Sequence, residues 1–140
     1  PPPRSTLFPY TTLFRSHTIA TIAYRFEVDG HAIVISGDTA YSQNLSTLAR
    51  NSDILIIDSG HYDRRHLTSS KKPRKSRAAH ASFEELLQMI GEANAKHTVL
   101  THLVTRTINQ ESIRKEIGKN YQGTLSFAID GMQLSCEPMR

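Results

Sequence analysis

The stretch VISGDTAYSQ, residues 34–43, decides the reading of the chain. The apolar run Ile33-Val34-Ile35 stops abruptly at Ser36-Gly37-Asp38-Thr39. Such a run, broken by Gly and Asp, reads as a buried strand that turns at its exit and delivers a carboxylate there. Taken alone, Asp38 serves equally well as a turn or helix-cap residue and as a metal-binding or catalytic acid. The neighbouring segments have to decide.

Upstream, TIAYRFEVDGHAIVIS reads as a hairpin. Tyr24, Phe26 and Val28 alternate with Arg25 and Glu27, and Asp29-Gly30 suits a type I′ turn, whose two central residues both need positive φ. The fuller run Ile33-Val34-Ile35 predicts a strand buried on both faces. Downstream, SQNLSTLARNS predicts a short helix with Leu45, Leu48 and Ala49 on one side, and DILIID a second buried strand. In HASFEELLQMIGEANA, Ser82 and Glu85 form a capping box, and Phe83, Leu86, Leu87 and Ile90 make an amphipathic stripe. HTVLTH is a third buried strand. INQESIRKEIGK predicts a helix capped by Asn109, stapled by Ile108 on Ile113 and ended by Gly118. TLSFAIDGMQLSC predicts a closing hairpin around Asp130-Gly131. The expected order is β-β-α-β-α-β-α-β-β, an α/β fold with a mixed sheet and helices packed on it.

At 140 residues one domain is expected. No apolar stretch is long enough to span a membrane. The single cysteine, Cys136, excludes an internal disulfide and a cysteine-rich metal site, which points to a cytoplasmic protein. The net charge of +4 is local in origin, because residues 64–77, RRHLTSSKKPRKSR, hold seven Lys/Arg and no acid. Outside that segment ten bases face thirteen acids, so the chain is not a uniformly basic nucleic-acid-binding module. Residues 1–16, PPPRSTLFPYTTLFRS, differ from the rest: TLF occurs twice, there is no acid, and no helical or strand period is sustained. They also lack the apolar core and cleavage site of a signal peptide. The segment resembles a translated sequencing adapter. It is set aside as non-native, and residues 17–140 are taken as the domain.

Three apolar strands each lead to a polar group: Asp38, Asp58 and His102. Ligands in open α/β sheets bind outside the carboxyl ends of the strands, so these exits can share one crevice. His17 opens the first hairpin strand, and an antiparallel neighbour brings that start to the same edge. Imidazoles and carboxylates without thiolates suit zinc or another divalent first-row metal, and a metal-bound water is a nucleophile near neutral pH. Each residue keeps a plainer reading. Asp58 alone is a loop acid, His102 a strand-end histidine, and His80 a residue beside a helix start. His31, His61, His66 and His97 read as surface or loop residues.

The segments HTIATIAYRFEVDGHAIVISGDTAYSQNLSTLARNSDILIIDSG, HASFEE, VLTHL and FAIDGMQL together resemble the C-terminal half of a metallo-β-lactamase-fold hydrolase. Within that superfamily they are most similar to the ribonuclease Z and phosphodiesterase-like branch. The resemblance implies the C-terminal half of an αββα sandwich and a hydrolase that uses a metal-activated water. It assigns His17, Asp38 and His102 to metal binding, with Asp38 bridging two ions. It assigns His80, held by Asp58, to protonation of the leaving group. The implied cofactor is Zn2+, one or two ions in the intact enzyme, with Mn2+ or Fe2+ as substitutes. The family's His-x-His-x-Asp-His motif is nowhere in this sequence. The expectation is therefore a fragment lacking its N-terminal half, inactive by itself and exposing the apolar face that half would cover. Expected partners are a phosphodiester or RNA substrate, the missing half and, in the intact enzyme, a second copy in a homodimer, with no membrane. The alternative is a non-catalytic module that holds nucleic acid or another partner through this half-fold and its basic segment.

Overall fold

The computed structural model describes residues 10–14, 21–59, 80–103 and 109–136. His17, His61, His66, Ile108 with its staple, and the basic segment 64–77 lie outside the described residues. Among the described residues six strands form one sheet: β1 (Tyr10–Phe14), β2 (Thr21–Val28), β3 (His31–Ile35), β4 (Ile54–Asp58), β5 (His97–Thr101) and β6 (Thr124–Phe127). Their spatial order is their chain order. β1, β2 and β3 pair antiparallel, whereas β3, β4, β5 and β6 run parallel. Among the described residues three helices lie in the connections between the parallel strands: α1 (Gln43–Leu48), α2 (Phe83–Ala93) and α3 (Gln110–Ile117).

The hairpin turn forms as expected, with φ of 51° at Asp29 and 81° at Gly30. Ser82 and Glu85 close the capping box of α2, and Asn109 caps α3 through Ser112 N–H. Gly118 ends α3 in a right-handed conformation, φ −63°, and not in the left-handed one that makes glycine a favoured stop. That left-handed role falls to Asn94 behind α2, φ 46°.

Among the described residues the order is β-β-β-α-β-α-β-α-β, which differs from the expected order at both ends. Residues 10–14 carry no strand period, yet they pair along the free edge of β2, because ladder hydrogen bonds need no side-chain pattern. The closing hairpin does not form. Met132 N–H donates to the Ile129 carbonyl across Asp130-Gly131, but only Gly131 has positive φ, 78°. One positive φ at that position gives a type II-like turn, whose twist splays the flanking segments where a type I′ turn would pair them.

One core lies between the sheet and all three helices. Ala23, Val34, Leu55, Ile57, Leu100 and Phe127 share the sheet face that meets Leu45, Leu86, Met89, Ile90, Ile113 and Ile117. On the opposite face Ile22, Tyr24, Val28 and Ile35 are 39–41% exposed. β3 is therefore buried on one face only, which corrects the reading of a strand buried on both. The charged residues of β2 sit on the helix side, where Arg25 Nη1 donates to the Leu48 carbonyl at 2.8 Å and so caps α1. Towards the sheet centre the second face is closed, since Ile54 and Val99 are each 2% exposed.

Candidate metal and proton-transfer site

Parallel pairing puts the exits of β3, β4 and β5 at one edge of the sheet, and the polar groups converge there. Gly37, φ 61°, turns the chain after β3; a Cβ at this position would lie 3.3 Å from the Ile22 carbonyl oxygen. The turn delivers Asp38, which is about half exposed. His102 follows β5 directly and takes the left-handed conformation, φ 57°, uncommon outside glycine. In that conformation its Nδ1 lies 3.0 Å from Asp38 Oδ1.

Asp58 is the last residue of β4 and fully buried. A buried carboxylate is costly unless hydrogen-bonded. Here Oδ2 accepts from Thr39 N–H at 2.9 Å and lies 2.7 Å from His80 Nδ1. An ionised carboxylate only accepts, so that contact assigns the proton to Nδ1. The reading of Asp58 as a plain loop acid is thereby replaced: it is a core residue with directed partners. The His80 and His102 rings are 4.9 Å apart, so the two pairs are neighbours.

Four of the five expected site residues, Asp38, Asp58, His80 and His102, therefore lie together, and His17 lies outside the described residues. Among the described residues no three His, Cys, Asp or Glu side chains gather closely enough to hold an ion by themselves. Asp38 and His102 nevertheless fit as two adjacent donors. Two ligands at about 2.1 Å from one zinc, subtending roughly 90–110°, stand about 3.0–3.4 Å apart. The Asp38–His102 separation of 3.0 Å is that of a hydrogen bond and also falls within this range.

Two participants escaped the sequence reading. Ser36 is 1% exposed and Thr39 fully buried, and both bond to Asp58. Their only sequence signal is a pair of small hydroxyl residues flanking Gly-Asp at a strand exit. His97, expected on the surface or in a loop, instead opens β5 with Nε2 2.8 Å from Ser126 Oγ, and partial burial lowers its pKa. It belongs to the second sheet face, away from the site. No helix among the described residues is long and apolar enough to cross a membrane.

Residues 4–103 match the beta-lactamase superfamily domain. The ribonuclease Z of Myxococcus xanthus is 30% identical over 112 residues, covering 79% of this chain and 34% of that protein. That of Archaeoglobus fulgidus is 30% identical over 106 residues, covering 75% and 32%. The chain thus spans about a third of the length of the curated relatives it matches. Among solved structures, the metallo-beta-lactamase fold protein YhfI from Bacillus subtilis superposes with a TM-score of 0.68 at 23% identity, over 89% of this chain and 51% of that one. Human tRNase Z, short form, gives 0.59 at 19% identity, over 93% and 41%. By sequence match and by fold, the chain belongs to the metallo-β-lactamase superfamily, in its ribonuclease Z-like branch.

Proposed function

We propose that this chain carries part of the reaction centre of a metal-dependent phosphodiester hydrolase of the ribonuclease Z type, with RNA as the leading substrate class. The observation that carries the reading is the adjacency of two differently built pairs: an accessible Asp38–His102 pair and a buried Asp58 behind His80.

Asp38 and His102, with His17, would hold the metal, zinc by donor type and two ions in the intact enzyme. A divalent ion bound there supplies Lewis-acid charge and an acidic water. His80 does the proton work. Its Nδ1 proton is fixed on Asp58, so Nε2 is the atom that meets a leaving-group oxygen. Asp58 orients the ring, and its burial keeps water from competing for Nδ1.

Three donors do not complete two metal centres, so the chain by itself is proposed to be inactive. Residues 1–16 are proposed to be foreign to the domain, and resequencing the gene across His17 tests this. The half-exposed face of β2 and β3 is what a half-domain separated from its covering layer would present. For the experiment, zinc-loaded full-length protein and this chain are assayed on a chromogenic phosphodiester. Turnover by the full-length protein alone is expected, with His80→Ala losing about 10²–10⁴-fold, the usual share of a general acid. Equal turnover in His80→Ala refutes the proton-transfer role. Salt-dependent RNA binding without turnover would favour the binding-module alternative, which rests on the seven bases of residues 64–77.

A further inference from the structure

We propose that Ser36 is a positioning residue that locks the turn bearing Asp38 onto Asp58, so that the two pairs of the site move as one unit. The inference deepens the proposed hydrolase reading and rests on it for its functional meaning, but its evidence is independent of metal and substrate. The β3–β4 ladder runs to Ile35 and Ile56, with Ser36 N–H donating to the Ile56 carbonyl at 3.0 Å. Beyond that point the backbones part, because residues 36–39 turn. The Ser36 side chain continues the connection. Its Oγ donates to the Gly37 carbonyl at 2.6 Å and accepts from Asp58 N–H at 3.0 Å.

Three residues later the same turn returns to the same partner, where Thr39 N–H donates to Asp58 Oδ2 at 2.9 Å. Gly37 and Asp38 therefore span a loop stapled at both ends to Asp58, once at its backbone and once at its carboxylate. Thr39 extends the staple, since its carbonyl accepts from Ala81 N–H, the residue after His80, at 3.0 Å. Ser36 and Thr39 are 1% and 0% exposed, so water does not replace either contact. A displacement of Asp38 must then carry Asp58 and His80 with it.

The test is amide hydrogen exchange and histidine-ring NMR on this chain, comparing Ser36→Ala with the unsubstituted protein. Losing the staple at Ser36 should speed exchange at Thr39 N–H, the far end of the loop, by about five- to tenfold, the equivalent of one hydrogen bond. The His80 Nδ1–H signal should weaken, while the His97 ring, on the other face, stays unchanged. Ser36→Thr keeps the hydroxyl and should restore both. Faster exchange confined to Asp58 N–H, with Thr39 and His80 unmoved, would make Ser36 a local structural contact and overturn the proposal. Should Ser36→Ala not fold, Ser36→Cys, a weaker donor at the same place, is read by the same two signals, and their constancy is equally fatal. Since none of these readouts needs a metal, their failure is distinguishable from failure of the hydrolase reading.

Discussion

Substituting Asp53 should destabilise the sheet in a way that pH reveals. Asp53 lies at the head of β4 and is 6% exposed. Its carboxylate accepts from Lys96 Nζ at 2.7 Å and from Ala32 N–H at 2.7 Å, and it lies 3.6 Å from His31 Nδ1. It thus aligns β3, β4 and β5 at the end opposite the site. The Lys96 hydrogen bond foremost, and the Ala32 amide next, lower its pKa from 3.8 to about 2 despite burial. A shift of that size corresponds to about 2.4 kcal/mol. Lys96 is three-quarters exposed, so solvent screening reduces the expected value to about 1–2 kcal/mol. Because the folded pKa is depressed, this contribution is complete above pH 3.8 and is lost as pH falls through 3.8 towards 2. Asp53→Asn keeps the volume and an acceptor for Ala32 N–H but removes the charge. Urea unfolding of both proteins from pH 6.5 to pH 2.5 should show a gap of about 1–2 kcal/mol above pH 5 that closes below pH 4. A gap that is constant over this range, or absent above pH 5, would show that the Asp53 charge does not stabilise the fold.

Ser82→Ala removes half of the α2 capping box and should cost about 1 kcal/mol in urea unfolding, with faster amide exchange in the first turn, directly after His80. Gly123→Ala places a Cβ 2.6 Å from the Ala95 carbonyl oxygen and against the Tyr121 hydroxyl, so a loss of about 1–3 kcal/mol is expected by thermal or urea unfolding. Ile35→Lys, on the half-exposed face, should reduce self-association in sedimentation at raised concentration while changing stability by less than about 1 kcal/mol.

Much of the fold was legible where local chemistry decides it. The capping box at Ser82, the Asp29-Gly30 turn and the α2 stripe depend on neighbours in sequence, and all three form. Strands β3, β4 and β5 announced themselves as apolar runs, and their parallel pairing brought Asp38, Asp58 and His102 to one edge. What escaped depends on partners distant in sequence. β1 is held by an edge and not by its own pattern. Asp130-Gly131 carries the same dipeptide as the first turn, but only its glycine adopts positive φ, so the hairpin fails. Ile33-Val34-Ile35 cannot tell from sequence whether a second layer covers it; Val34 is fully buried and Ile35 is 39% exposed. At the site, residue types suggested candidate donors, but the linkage of Ser36 and Thr39 to Asp58 required the three-dimensional path of the turn.

Asp38 and His102 are proposed as metal donors in a centre this chain only partly contains. The most direct test of that proposal is the metal content of the full-length gene product beside this chain, after both are loaded with zinc and dialysed, with Asp38→Ala and His102→Ala variants of each. About two ions per full-length molecule are expected, with a clear loss in either variant and almost none retained by this chain. No metal in the full-length protein, or full retention in both variants, would contradict the proposal and leave Gly37-Asp38 as a turn in an α/β binding domain.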